Sequence, residues 1–82
     1  MENQTKSLAD FYQAVILLAN HYRLEQVERG QGKFCTFVFS DPDGTAQATI
    51  DRHWRRELTV VSRDLIDAIV ELKTKIYDRG QI

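Results

Sequence analysis

The sequence Phe34-Cys35-Thr36-Phe37-Val38-Phe39 is the one stretch of this chain in which aromatic and β-branched residues follow one another without a helical period. Such residues are enriched in strands, because their side chains pack well on a pleated surface. Long amphipathic helical patterns lie on both sides of the stretch. We therefore expect residues 33–40 to form the central strand of a small domain, with the helices packed against it.

A partner strand is predicted just before it, over residues 23–29, where Leu24 and Val27 are the apolar members. Gly30-Gln31-Gly32 separates the two strands, and its glycines suit the positive φ of a short hairpin loop. Alternation divides the central strand into two largely apolar sets, Phe34/Thr36/Val38 and Cys35/Phe37/Phe39. We expect the hairpin to be covered completely on one face and partly on the other.

The first helix is predicted from Leu8 to Tyr22, with Ser7 or Asp10 as its N-cap. Asn20 lies where this helix should stop, since asparagine tolerates the left-handed conformation that commonly ends a helix. On a helical wheel the residues expected to face the core are Leu8, Phe11, Tyr12, Val15, Leu18, Ala19 and Tyr22. Leu17 falls on the opposite side, where it is either exposed or covered by another element.

The turn Asp41-Pro42-Asp43-Gly44 is predicted to lead into a second helix over residues 45–57. Asp41 can start this turn or cap the helix, with Pro42 at the first helical position. The stretch Leu58-Thr59-Val60-Val61 is too short and too β-branched to prolong the helix. It is expected to be an extended connector or a short strand.

The third helix is predicted from Ser62, as its N-cap, to Tyr77 or Asp78, and Gly80 follows its end. Its first apolar stripe, expected to face the core, consists of Leu65, Ala68, Ile69, Leu72 and Ile76. A second stripe of Ile66, Val70 and Tyr77 lies about 100° further round the helix. With Leu17 it is a candidate interface, for a protein partner or for a second copy in a homodimer. The alternative is that the first and third helices cover it by packing on each other within one chain.

These elements predict one α+β domain over residues 1–82, with frayed ends at about 1–6 and 79–82. Its order is helix, β-hairpin, helix, short strand, helix, with a small antiparallel sheet packed against the helices. A chain of this length lies near the lower limit at which one hydrophobic core supports a fold by itself.

Eleven basic and twelve acidic residues give the chain a net charge of -1. This balance removes the general attraction to nucleic acid or to an anionic membrane, so any such binding has to be local. Cys35, the one cysteine, is expected to be a small buried side chain. Neither a signal peptide nor a membrane-spanning stretch is recognisable, which predicts a cytoplasmic protein that does not bind membranes.

The densest cluster of functional residue types is Arg52-His53-Trp54-Arg55-Arg56. Arginines can contact phosphates and a tryptophan can stack on a base, so the cluster is a candidate nucleic-acid or anion site, to which Arg63 adds a fourth charge. The helical wheel, however, places Trp54 beside the core residue Ile50 and the arginines opposite. The competing interpretation is therefore a solvated basic face with a core tryptophan.

No pattern of catalytic or metal-binding residues is recognisable. His21, His53 and Cys35 are the only soft metal ligands, and they lack the spacing of a zinc site. No nucleophile elbow and no glycine-rich phosphate loop is present. We expect no catalytic residue, no metal, no cofactor and no enzymatic activity.

The chain contains, in this order, Leu17-Leu18 with Asn20, Phe37-Val38-Phe39 followed by Asp41, His53-Trp54 with Leu58 and Val60, and Ala68 with Leu72-Lys73 and Ile76-Tyr77. Over residues 8–78 this arrangement resembles a family of short uncharacterised proteins encoded by phages, archaea and bacteria. Asn20 and His53 depart from the family pattern, which has a glycine and an aromatic residue there. The resemblance implies a fold and a mobile-element context, and it implies no activity.

Together these observations predict a small non-enzymatic interaction module, associated with a phage or another mobile element, that binds a protein partner or itself. The alternative is a nucleic-acid-associated accessory protein that uses the face formed by Arg52, Arg55 and Arg56.

Overall fold

The computed structural model describes residues 4–30 and 35–80 of the chain. Its elements follow in the order β1 (Thr5–Leu8), α1 (Phe11–Ala19), β2 (Leu24–Arg29), β3 (Cys35–Ser40), α2 (Ala46–Trp54) and α3 (Ser62–Gly80). The strands form an antiparallel sheet in the order β1-β3-β2, and the helices pack against one of its faces. The domain is only 18 Å thick along its shortest axis, as two layers require. The predicted α+β class is confirmed.

Strand β3 is the centre of the sheet, and its alternation decides which face is buried. Cys35, Phe37 and Phe39 are buried in the core, as predicted, while Thr36, Val38 and Ser40 are half-buried on the other face. That second face carries no helix, and its remaining residues on β1 and β2 are polar: Thr5, Ser7, Gln26 and Glu28.

Strand β1 is absent from the sequence prediction, which places a helix from Leu8 and a frayed end before it. The structure instead pairs residues 5–8 with β3, so that Leu8 lies opposite Phe37 and Lys6 opposite Phe39. Leu8 is buried, and the Lys6 ammonium donates to the Gln47 side chain of α2 at 2.7 Å. The third strand of the sheet is therefore β1. The stretch 58–61, predicted as connector or short strand, has no regular secondary structure.

Strand β2 contains a β-bulge that explains its apolar pattern. Leu24 pairs with Phe39 and Gln26 with Val38, so Glu25 is the extra residue on β2. Leu24 and Val27 are three apart and would point to opposite faces of a regular strand. Because the bulge shifts the alternation by one residue, both lie opposite core residues of β3 and pack into the core.

Helix α1 is buried on almost all sides. It contacts the sheet, α2 and, most extensively, α3. Ala14, Val15, Ile16, Leu17 and Ala19 are all buried, as expected for a helix that is apolar all round. Tyr12, predicted to face the core, is instead exposed.

Helix α1 is shorter than the predicted span of Leu8 to Tyr22, but it begins after Asp10 and stops at Asn20, the cap and the stop that the sequence suggested. Asp10 is the N-cap, and its carboxylate accepts from the Gln13 backbone at 3.0 Å. The helix ends at Ala19 in a Schellman motif: the Tyr22 N–H donates to the Leu17 carbonyl and the His21 N–H to the Leu18 carbonyl. The left-handed residue of this motif is His21, at φ 71°, instead of the predicted Asn20.

The turn before α2 is built around the buried Asp41. Its carbonyl accepts from the Gly44 N–H, which closes the predicted turn, and Gly44 has a φ of 68°. One Asp41 carboxylate oxygen also accepts from the backbone N–H groups of Thr45 and Ala46, at 2.9 and 3.2 Å. Asp41 is therefore the turn residue that the sequence suggested, and its side chain satisfies N–H groups at the start of α2. The N-cap itself is Thr45, and Pro42 lies in the turn and not at the first helical position.

Helix α3 begins one residue earlier than a Ser62 cap would place it, because the Val61 carbonyl accepts its first hydrogen bond, from Leu65. It extends to Gly80, beyond the predicted end. The Arg29 guanidinium of β2 donates to the Ile76 carbonyl and ties this end to the sheet. The predicted loop residues Gln31 and Gly32, the strand residues Lys33 and Phe34, and the terminal residues 1–3 and 81–82 lie outside the described part of the chain.

We predict that Phe37→Ala lowers the free energy of unfolding by about 3–5 kcal/mol, because Phe37 is 2% exposed and opposes both Leu8 and Val27. Val38→Ala is the matched control, since Val38 lies on the same strand with its side chain on the open face. It should cost about 1 kcal/mol or less. Urea denaturation followed by circular dichroism measures both. Equal losses in the two variants would contradict the core assignment of β3.

Candidate functional site

Large apolar side chains are exposed on the helical layer and not on the sheet. In the part of the chain that the structure describes, six of them are more than half exposed: Tyr12, Trp54, Val61, Ile66, Val70 and Tyr77. They belong to α1, α2, α3 and the residue just before α3. A cluster of such residues on a small protein usually marks an interaction surface.

A shallow apolar groove lies between α1 and α3, and His53 of α2 is also part of its lining. Its volume is about 280 Å³. Leu65 and Ile69 come from α3, and Tyr12, Val15 and Ile16 come from α1. The complete lining is Tyr12, Val15, Ile16, His53, Leu65 and Ile69.

The exposed stripe of α3 continues this groove outwards. Ile66 and Val70 each follow a groove residue on α3, so they lie about 100° further round the helix, on its outer shoulder. Ile66, Val70 and Tyr77 are 57%, 58% and 63% exposed. We call the groove residues Tyr12, Ile16, Leu65 and Ile69, together with Ile66, Val70 and Tyr77, the apolar helical face.

The opposite flank of α3 is acidic. A second cleft there, lined by Leu18, His21, Tyr22, Asp64, Asp67, Ala68 and Glu71, collects three carboxylates of α3. The His21 imidazole lies 3.5 Å from the Asp64 carboxylate. This acidic cleft therefore lies on a different side of α3 from the apolar groove.

The predicted packing of α1 against α3 does occur, but it uses the first stripe of α3 only. Ala68 and Leu72 are buried, and Leu65, Ile69 and Ile76 pack against the core. The second stripe stays exposed. Leu17 is completely buried, which removes it from the candidate interface.

Trp54 contradicts the prediction that it points into the core, since it is 64% exposed. It is the last residue of α2, one turn beyond the buried Ile50. Its ring lies 5.3 Å from that of His53, measured between ring centroids, and His53 is a residue of the groove lining. Sequence reasoning missed Trp54 and Tyr12 as surface residues, because both fall on apolar sectors of their helical wheels.

Helix α2 ends, like α1, in a Schellman motif. The Arg56 N–H donates to the His53 carbonyl at 3.0 Å and the Glu57 N–H to the Arg52 carbonyl at 2.9 Å. The left-handed position, at φ 63°, is held by Arg56, although glycine is the usual residue there. This motif fixes the direction of the chain directly after Trp54.

The predicted nucleic-acid residues are exposed, but two of the four are already engaged. Arg55 pairs with Glu57 at 3.2 Å, and Arg63 pairs with Asp67 at 3.3 Å instead of joining the arginines of α2. Arg52 and Arg56 form no ion pair with any residue that the structure describes. The free cationic groups near Trp54 are therefore fewer than the sequence suggests.

Asp41 and Tyr22, two polar residues of the loops beside the helices, have structural roles. A cleft of about 440 Å³ lies between the loops that follow α1 and β3, and Asp41 and Tyr22 are part of its lining. The Asp41 side chain satisfies N–H groups at the start of α2, and the Tyr22 hydroxyl is bonded to the hydroxyls of Thr45 and Thr49 at 2.8 and 3.0 Å. Within residues 4–30 and 35–80, no group of three or more histidine, cysteine, aspartate or glutamate side chains is placed to hold a metal ion.

None of the described helices has the length and apolar character that crossing a membrane requires. No protein-family model matches the chain, and neither a curated protein nor a solved structure is significantly similar to it.

The chain has a single tryptophan, so its fluorescence reports on Trp54 alone. We predict an emission maximum near that of tryptophan in water, and acrylamide quenching almost as efficient in the folded as in the unfolded chain, because the ring is largely exposed. Trp54→Ala should change the free energy of unfolding by less than about 1 kcal/mol. An emission that shifts to longer wavelength only on unfolding would place Trp54 in the core, as the wheel suggested.

Proposed function

We propose that this protein is a non-enzymatic interaction module that binds a protein partner, or a second copy of itself, through the apolar helical face. The observation that carries the proposal is the exposure of Ile66, Val70 and Tyr77 beside the groove. Burying such side chains on binding gains about 25 cal/mol per Å² of apolar surface, which is the main driving force of protein association.

The remaining polar chemistry supports a binding role over a catalytic one. The buried carboxylate of Asp41 is occupied by two backbone N–H groups, and the Tyr22 hydroxyl is shared with two threonines. Cys35 is buried under the sheet's helical face. These candidate acid, base and nucleophile groups hold the fold together, and none of them lines the groove.

The proposed setting of such a module rests on the sequence resemblance. The resemblance over residues 8–78 favours a phage or another mobile element, and a cytoplasmic location belongs to the same proposal. Such a module would act by binding a partner through its exposed apolar residues.

We predict that Val70→Asp abolishes the association, because binding would bury a carboxylate that stays hydrated in the free protein. The measurement is capture from lysate of the native host by the wild-type chain and by the variant, with light scattering on the purified protein to detect a homodimer. Lys75→Asp is the control, since it adds an aspartate to an exposed position on the other flank of α3.

A partner or dimer present with the wild-type chain and with Lys75→Asp, but missing with Val70→Asp, is the expected result. Identical captured proteins in all three samples, together with a monomer mass, would rule out binding through this face. Circular dichroism should show all three chains equally folded, because Val70 and Lys75 are exposed.

A second candidate function is favoured by the exposure of Trp54. An exposed tryptophan beside Arg52 and Arg56 can stack on an unpaired base while the guanidinium groups contact phosphates. With two such groups not engaged in ion pairs, the binding would be weak and sensitive to salt. This arrangement fits an accessory protein that holds single-stranded nucleic acid.

We predict that a fluorescent single-stranded oligonucleotide, if bound, loses most of its affinity in Trp54→Ala and in the triple variant of Arg52, Arg55 and Arg56 to alanine. Fluorescence anisotropy at low and moderate salt measures the affinity, with duplex DNA compared because stacking needs unpaired bases. Arg23→Ala is the control, since Arg23 is exposed at the start of β2. No binding at low salt, or binding that these variants leave unchanged, would remove this second function.

A further inference from the structure

Two residues other than glycine adopt the left-handed conformation in the described part of the chain, His21 at φ 71° and Arg56 at φ 63°. Each follows a helix and holds the same position of a Schellman motif, His21 after α1 and Arg56 after α2. A residue with a Cβ atom is strained in this conformation, which is why glycine is usual there. Such strain persists where the side chain is needed for another purpose.

At the end of α1 the strained residue has such a purpose within the chain. The His21 imidazole lies 3.5 Å from the Asp64 carboxylate, so it links the loop after α1 to α3. Arg56 has no comparable contact. Its side chain is exposed and pairs with none of the acids that the structure describes, whereas the neighbouring Arg55 pairs with Glu57. For folding alone, glycine would therefore serve better than arginine at position 56.

The exposed ring of Trp54 lies close to Arg56 along the chain. The Cα atoms of the two residues are at most about 7.6 Å apart, which is twice the spacing of consecutive Cα atoms. The hydrogen bonds of the Schellman motif, to the carbonyls of His53 and Arg52, fix the turn between them. Arg52 starts from another side of α2, because two residues turn it about 200° round the helix away from Trp54. Arg56 is therefore the unpaired cation that the backbone holds near Trp54.

An open aromatic ring and a free guanidinium at short range are the two groups that hold single-stranded nucleic acid, through base stacking and a phosphate contact. The local charge favours such a ligand, since residues 51–57 contain three arginines and two acids in a chain whose net charge is -1. Both of these acids are engaged within the chain. Glu57 pairs with Arg55, and Asp51 accepts a hydrogen bond from Gln47.

We infer that Arg56 contacts the phosphate of a nucleotide whose base stacks on Trp54, and that the strained backbone at Arg56 is retained for this contact. This inference rests on the second of the proposed functions and adds the residue that supplies the charge. A side chain retained for binding and not for folding has a distinctive signature. Its removal changes stability and affinity in opposite directions.

The test of stability compares Arg56→Gly with His21→Gly, the same kind of substitution at the equivalent position of α1. Arg56→Gly should raise the melting temperature by about 4 °C, because it removes the strain and leaves the backbone hydrogen bonds of the motif unchanged. His21→Gly should raise it less, since it also removes the contact with Asp64. Thermal melts followed by circular dichroism measure both.

The test of binding uses fluorescence anisotropy of the full chain with a labelled oligothymidylate of about ten nucleotides, at several salt concentrations. Arg56→Gly should weaken binding by about three- to tenfold. It should also reduce the slope of log K against log salt concentration by about 0.7, the value of one phosphate contact on a single strand. Trp54→Ala should weaken binding and leave this slope unchanged, because stacking releases no counterion. Arg56→Lys should keep the slope, since lysine carries the same charge.

His21→Gly is the control for binding as well. The next residue, Tyr22, is bonded to Thr45 and Thr49 at the start of α2, whereas Trp54 is at the other end of this helix. The affinity of His21→Gly should therefore stay within about twofold of wild type.

Three results would contradict the inference. If Arg56→Gly binds like wild type with the same salt slope, while Trp54→Ala loses affinity, Arg56 has no role and the second proposed function stands. A melting temperature that falls in Arg56→Gly assigns the arginine to folding and removes the reason for the inference. Absence of wild-type binding at low salt rejects the inference together with the second proposed function.

Discussion

The burial of one face of β3 under the helices is the interaction on which the rest of this domain depends. Cys35, Phe37 and Phe39 supply that face, and Phe39 is completely buried. The two other strands pair only with β3 in the described sheet, and Phe37 is flanked by Leu8 of β1 and Val27 of β2. Both neighbouring strands match the alternation of buried residues along β3. Strand β2 has a bulge at Glu25, which lets Leu24 reach the core, and β1 is stabilised by its pairing with β3 in spite of its polar composition. The open face of β3 needs no cover because its neighbours on that side are polar.

The sequence predicts the elements whose signals are local and misses the one whose stability comes from pairing. Strands β2 and β3, the Asp41 turn and the three helices follow from alternation, turn residues and helical period. Strand β1 has one apolar residue in four, and Thr5 is its only residue with a strong strand propensity, so its pairing with β3 is what makes it a strand. The observed helix ends also differ from the predicted ones. Both α1 and α2 stop in Schellman motifs that place His21 and Arg56 in the left-handed conformation, where a sequence reader looks for glycine.

The candidate site shows what a helical wheel leaves out. The wheel gives the direction of a side chain round the helix, but not its position along the axis relative to the core. Trp54 shares its sector with Ile50, yet it lies one turn further on, where α2 has passed the core. The wheel also assumes that a helix is covered on one side. Helix α1 is covered by the sheet, α2 and α3, so Leu17 is buried opposite the predicted face. The wheel succeeds for the second stripe of α3, which is recognisable from its spacing. This stripe is exposed because α3 lies at the margin of the helical layer, where its outer side has no neighbour among the described elements.

These exposed and strained residues are costly for a domain of this size. A domain of 82 residues is stable by about 4–12 kcal/mol, and each non-glycine residue in the left-handed conformation costs about 1–2 kcal/mol. Glycine at position 56 would remove that cost at α2 without changing the hydrogen bonds of the Schellman motif, since those use backbone groups only. Arginine there keeps a positive charge two residues after Trp54. Folding alone gives no reason for this choice, nor for three exposed apolar residues along α3. Both fit a helical layer whose surface is selected for binding as well as for stability, which is the role proposed for it.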